Sequence, residues 1–131
     1  MSTKTIAEKL QIKPNTTVWV SPPDHLGLIA PLPQGASEAL GMDQATVALV
    51  FVKDESSARD TLDKHKDYLA QPDILWVAYP KANRTDINRD TLWPILTEFG
   101  MRPTGQVSVD ETWSAMRFRP LKDGEIFTGR H

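Results

Sequence analysis

The sequence predicts an α/β domain in three layers: a mainly parallel sheet lies between helices and closes with one antiparallel hairpin. Three observations predict it. Ala45 to Val52 and Ile74 to Tyr79 are apolar almost without interruption, as strands covered on both faces are, whereas a sheet with one wet face alternates. A segment of helical period follows each of them. The chain then approaches its end in two alternating segments, Val107 to Val109 and Trp113 to Phe118, around the polar run Asp110-Glu111-Thr112, which is the pattern of a hairpin. With 131 residues, 40% hydrophobic and 24% charged, the chain can build one sizeable core but not two. A single domain over 1–131 follows, with the last ten or so residues as a tail.

Each element has a local reason. Thr5-Ile6-Ala7-Glu8 has the spacing of a capping box, and Ile6 and Leu10 share a face, so a short helix should run to about Ile12 before Pro14 stops it. Thr16 to Val20 is the first strand. Ser21-Pro22-Pro23 breaks it, and Asp24 can cap a brief helix to Leu28 or Ile29. Residues 32–43 are ambiguous: they mix prolines and glycines with Ala36-Ser37-Glu38-Ala39-Leu40, a weak former of either strand or helix. After the strand at Ala45 to Val52, Asp54 caps a helix whose Ala58, Leu62, His65 and Leu69 form one stripe until Gln71-Pro72. Beyond the strand Ile74 to Tyr79, Leu92, Ile95, Leu96 and Phe99 mark a further helix face. Thr91 as its cap would put Pro94 in the first turn, where a missing donor matters little, and Gly100 closes it.

Composition excludes several classes of function. A net charge of -2 lacks the positive field that duplex nucleic acid or an anionic membrane surface requires, so neither is an expected partner. Without cysteine there are no disulfides and no thiolate metal sites. The amino terminus carries no apolar run of the signal-peptide kind and no stretch is long enough to span a bilayer, which predicts a cytoplasmic location.

Leu75-Trp76-Val77-Ala78-Tyr79-Pro80-Lys81 and Val109-Asp110-Glu111-Thr112-Trp113-Ser114-Ala115-Met116-Arg117-Phe118 resemble segments of a family of small bacterial proteins known as a domain of unknown function. The resemblance runs from about Ile6 to Pro120 and implies the fold, not an activity or a catalytic residue. The order of elements is also similar to that of a shortened methyltransferase-type Rossmann domain. Such domains usually carry a glycine-rich loop after the first strand and an acidic residue at the end of the second. Here Ser21-Pro22-Pro23 stands in the first place, and no clear acidic residue stands in the second. Two prolines remove backbone donors that such a loop offers, so the expectation is no cofactor, and no binding of S-adenosylmethionine or a dinucleotide.

In an open parallel sheet the ligand crevice lies at the carboxyl ends of the strands. On this topology that edge collects Asp24 and His25 after the first strand, Lys53 after the next, Lys81 after Tyr79-Pro80, and Asp110 with Glu111 at the hairpin. Cations, carboxylates and an imidazole there could bind an anion or arrange a proton transfer; they could equally be polar because loops are wet. If Glu111-Thr112 is a two-residue turn, Asp110 faces Trp113, Ser108 faces Ala115 and Gln106 faces Arg117, with Val107, Val109, Ser114, Met116 and Phe118 behind them. Trp113 and Arg117 are then candidates for a ligand or partner surface, against the plainer reading of a core-edge ring and a solvated face. His65 reads as a core-boundary residue, since no second ligand stands at metal spacing. Ser114 lacks a nucleophile elbow, and neither phosphate-loop nor zinc motif occurs. The sequence therefore predicts a noncatalytic module that binds a small anionic ligand or a protein partner at the carboxyl edge. A small transferase-like enzyme with an atypical cofactor loop is the alternative, and a homodimer through an exposed edge strand is a third reading.

Overall fold

Six strands form one sheet in the order β2-β1-β3-β4-β6-β5 in the computed structural model, which describes residues 5–21, 23–81 and 85–121. The expected carboxyl-terminal tail lies outside the described residues. β1 (Thr17–Ser21), β2 (Ser37–Glu38), β3 (Val47–Phe51) and β4 (Ile74–Pro80) are parallel, and β6 (Trp113–Pro120) slots antiparallel between β4 and β5 (Met101–Ser108). The three-layer, Rossmann-like α/β architecture expected from the sequence is the one observed.

The helices stand where their caps put them. Thr5 and Glu8 close the capping box of α1 (Ile6–Lys9), each side chain accepting from the other's backbone N–H at 3.1 Å. That helix ends after one turn instead of reaching Ile12, because the chain reverses through Gln11 at a left-handed φ of 64°. Asp54 caps α2 (Glu55–Lys64) by accepting from the Ser57 N–H at 2.8 Å. The stripe beyond Leu62 passes into a 3-10 turn, Lys66–Tyr68, which still brings Leu69 into the core. α3 (Arg89–Glu98) is capped by Asn88, with Thr91 as the reciprocal partner three residues on, so the expected cap at Thr91 is corrected. Pro94 consequently sits in the second turn and removes one intrahelical bond. Gly100, at φ 80°, ends the helix as expected.

The core divides between the two faces of the sheet. Ala48, Val50, Leu75, Val77, Met116 and Phe118 point to the face covered by α2 and α3. Val18, Val20, Leu49, Trp76 and Ala115 point to the other, beneath α1 and the 3-10 segment Pro23–Leu28. All five residues of β3 are buried, as its apolar run predicts for a strand covered on both sides.

The hairpin differs in register from its expected form. Ser108 pairs with Ser114, Val107 with Ala115 and Gln106 with Met116, so residues 109–112 form a longer connection than a two-residue turn. The Asp110 carboxylate causes this by accepting from the N–H groups of Thr112 and Trp113, each at 2.8 Å, which folds the tip on itself. Because side chains alternate faces, the one-residue slip moves Val107 and Val109 to the face of Trp113 and Ala115 and sends Gln106 and Ser108 to the face of Tyr79 and Met116.

Candidate functional site

The strand order reverses between β1 and β3, and the crevice beyond their carboxyl ends is where ligands of open α/β sheets bind. The 3-10 segment Pro23–Leu28 is the next described element after β1. His25 in that segment lays its ring 4.7 Å from Phe51, the last residue of β3, and 5.8 Å from Trp113, the first of β6. Phe51 and Trp113 complete the cluster edge-on at 5.0 Å. The exposed Asp24 carboxylate bonds His25 Nδ1 at 3.2 Å and holds the ring's orientation. Asp24, His25 and Trp113 are therefore brought together, with Phe51, which sequence reasoning read only as core.

The other expected residues are distributed differently. Lys53 is exposed at the end of β3, and its backbone N–H is bound to the Ser57 hydroxyl at the start of α2. Glu111 is exposed at the hairpin tip. Asp110 is committed to the turn and does not pair with Lys81; Lys81 instead donates from Nζ to Ser108 and from its backbone to the Thr112 carbonyl. Arg117 lies well down β6 from the carboxyl edge, beside Trp76, and donates to Gln11 Oε1 at 2.6 Å. It belongs to no constellation with the others.

A groove of about 540 Å³ opens on the α3 side of the same edge. Tyr79, Lys81, Arg89, Gln106 and Ser114 line it. Tyr79 is 5% exposed and accepts from Gln106 Nε2 at 2.7 Å, and Ser114 is its cross-strand neighbour. Burial raises the Tyr79 phenol above its usual value, against the opposing pull of the Ser114 hydrogen bond, so the hydroxyl stays protonated at physiological pH. Sequence reasoning missed Tyr79 because its strand reads as wholly buried; the available signal was that a buried tyrosine needs a partner for its hydroxyl.

Glu38 was also missed. It ends β2, beside β1, at the position where Rossmann-type domains keep an acidic residue roughly 20 residues after the first strand. Its register partner is Val18, so β2 stops short of the β1 carboxyl end. Leu40, two residues further on, is an apolar side chain at 92% exposure. A carboxylate at this place is of the type that could accept from the hydroxyls of a ribose. The Ser21-Pro22-Pro23 junction offers no glycine, and the nearest, Gly27, has nothing within 4 Å of where a Cβ would stand, so no close backbone approach demands it. Among the described residues, no group of three histidine, aspartate or glutamate side chains could hold a metal ion, and no helix is long and apolar enough to cross a membrane.

No protein-family model and no curated protein matches the chain. Solved structures do. A protein of the NADB-Rossmann superfamily from Streptococcus agalactiae aligns over 92% of this chain and 69% of its own, with a TM-score of 0.57 at 10% identity. A Streptococcus pneumoniae protein proposed to be a tRNA (m1A22) methyltransferase aligns over 92% and 71%, with a TM-score of 0.52 at 10% identity. The complex of that protein with S-adenosyl-L-methionine gives 0.53 at 12% identity, over 92% of this chain and 73% of that one. At such identities the likeness establishes a methyltransferase-type Rossmann fold. It also corrects the expectation of a noncatalytic binding or interaction module, since the solved structures that share this layout include a protein proposed to be a methyltransferase, seen also in complex with S-adenosyl-L-methionine.

Proposed function

We propose that this chain is a small transferase-like enzyme of the methyl-transferring class, which takes its cofactor at the carboxyl edge of the β2-β1-β3 half of the sheet. The observation that carries this reading is the sheet order itself. β6 is inserted antiparallel between β4 and β5, and the whole arrangement superposes over 92% of the chain on a structure that contains S-adenosylmethionine.

Glu38 would accept from the ribose hydroxyls, Leu40 would cover the base, and the His25, Phe51 and Trp113 rings would wall the crevice. When bound, S-adenosylmethionine supplies an electrophilic methyl group. The prolines that replace the glycine-rich loop count differently against different ligands. A dinucleotide needs a cradle of backbone donors for its pyrophosphate, and prolines deny it. S-adenosylmethionine carries no phosphate, so the same loop excludes dinucleotides more strongly than it excludes the methyl donor. The net charge of -2 favours a small-molecule acceptor over nucleic acid.

Titration calorimetry with S-adenosylmethionine tests the reading. Saturable binding is expected, weakened by roughly tenfold or more in Glu38→Ala, the usual scale for losing hydrogen bonds to a charged group. No saturable heat in the unmodified protein, or binding indifferent to Glu38, would overturn it.

A further inference from the structure

The groove on the α3 side lies on the opposite face of the sheet from the His25 cluster, because Tyr79, Ser114 and Gln106 share the α3 face while Phe51 and Trp113 point the other way. It is therefore a separate opening on the same edge. Its polar groups are mostly donors, with one carboxylate, Asp90, among them. The Tyr79 hydroxyl sits at the floor with Gln106 donating to its oxygen and the Ser114 hydroxyl bonded beside it, so its proton reaches a ligand when Ser114 donates to the same oxygen. Lys81 brings an ammonium, and Arg89 a guanidinium, to the rim. The α3 N-terminus adds little through its backbone, since Asn88 already accepts from the Asp90 and Thr91 N–H groups. Asp90 also lines the groove and stands 3.7 Å from Arg89, so the local positive field rests chiefly on Lys81.

A mouth that presents a cation and a neutral buried donor, with a second cation partly compensated, suits a ligand that only accepts hydrogen bonds and carries negative charge. We propose that this groove is a binding site for the carboxylate or phosphate group of a small molecule, held by Lys81 and Arg89 at the rim and by the Tyr79 hydroxyl at the floor. The site goes beyond the transferase reading and does not depend on it. The Lys81 bond to Ser108 is the resting contact, with Ser108 exposed and Lys81 partly so, and a ligand oxygen can take the Ser108 position without a buried group being left unpaired.

Backbone amide spectra of the full chain, titrated with inorganic phosphate and separately with acetate at ionic strength held constant by chloride, test this. Saturable shifts are expected at Lys81, Arg89, Gln106 and Ser114 with at least one of the two anions. The one that saturates identifies the group recognised. Lys81→Ala should weaken that binding roughly tenfold, as loss of a charge-assisted contact does, and Tyr79→Phe should weaken it severalfold. Gln106→Ala serves as the second floor variant if Tyr79→Phe fails to fold, and Asp24→Asn on the other face should leave the affinity unchanged. Shifts that do not saturate with either anion, or that persist in full in Lys81→Ala, would overturn the proposal. Failure of the two readings is distinguishable, because S-adenosylmethionine should move amides around Glu38 and Leu40: anion binding without those shifts retains the groove and rejects the transferase, and the converse rejects the groove alone.

Discussion

His65 sits at the carboxyl end of α2 with its ring 4.9 Å from Trp19 at an interplanar angle of 73°, closing the outer margin of the core under α2 and α3. Desolvation, with the adjacent Lys64 adding repulsion, lowers its pKa below 6.5. A histidine depressed in this way binds fewer protons folded than unfolded. Its presence is therefore costless above the unfolded value, and stability falls as pH drops through 6.5 and levels off below the folded value. Leucine at this position keeps the apolar stripe with Leu62 but loses the edge-on contact, and the two effects oppose each other. We expect His65→Leu to change stability at neutral pH by less than about 1 kcal/mol. The same variant should lose part of the fall in melting temperature between neutral pH and about pH 5, the window in which an ordinary histidine titrates. Parallel melts of both proteins across that range measure it, and an unchanged slope would show that His65 pays no desolvation cost.

The hairpin shows how one carboxylate can set an element. Asp110 accepts two backbone N–H groups at 2.8 Å, fixes the tip at residues 109–112 and so determines which faces Val107 and Gln106 take. Asp110→Ala should destabilise the protein by about 1–2 kcal/mol, the usual cost of deleting such a side-chain cap, whereas Asp110→Asn keeps an acceptor and should cost less. Chemical denaturation of the two variants decides it; equal losses would mean that charge and not the acceptor matters. Trp113 should move with the tip, so its fluorescence reports the same change. This register was not legible in the sequence, because Asp110-Glu111-Thr112 fits either loop length and only the side chain's choice of partner separates them. β3 and β4 were legible because burial on both faces writes an unbroken apolar run. β2 was not: its two residues carry no period, and it exists because Ser37 and Ala39 donate to the Thr16 and Val18 carbonyls. Glu38 was hidden with it. The carboxyl edge itself could be placed from the order of elements. Its division into an aromatic cluster on one face and a donor groove on the other could not, since that depends on the hairpin register.

Across the whole molecule the two faces are covered unequally. Two ten-residue helices lie on one side, while the other is closed by the four residues of α1, a 3-10 segment and irregular chain. A face covered by short pieces gains little from helix propagation and depends on its points of attachment. The principal one is Trp76, 3% exposed in the middle of β4, whose indole Nε1 donates to the Leu10 carbonyl at 2.9 Å and ties the end of α1 to the sheet. Removing that donor leaves a buried carbonyl unpaired and shortens the ring that supports it. Trp76→Phe should therefore cost about 1–3 kcal/mol for the lost hydrogen bond, with a further loss from the space left behind. The loss should also be local. Amide exchange at Lys9, Leu10 and Ile12 should accelerate well before exchange at Leu92 in α3 changes, because α1 can detach without opening the other core. Equal acceleration on both faces would show instead that the two cores open as one cooperative unit and that the thin face is no weaker than the thick one.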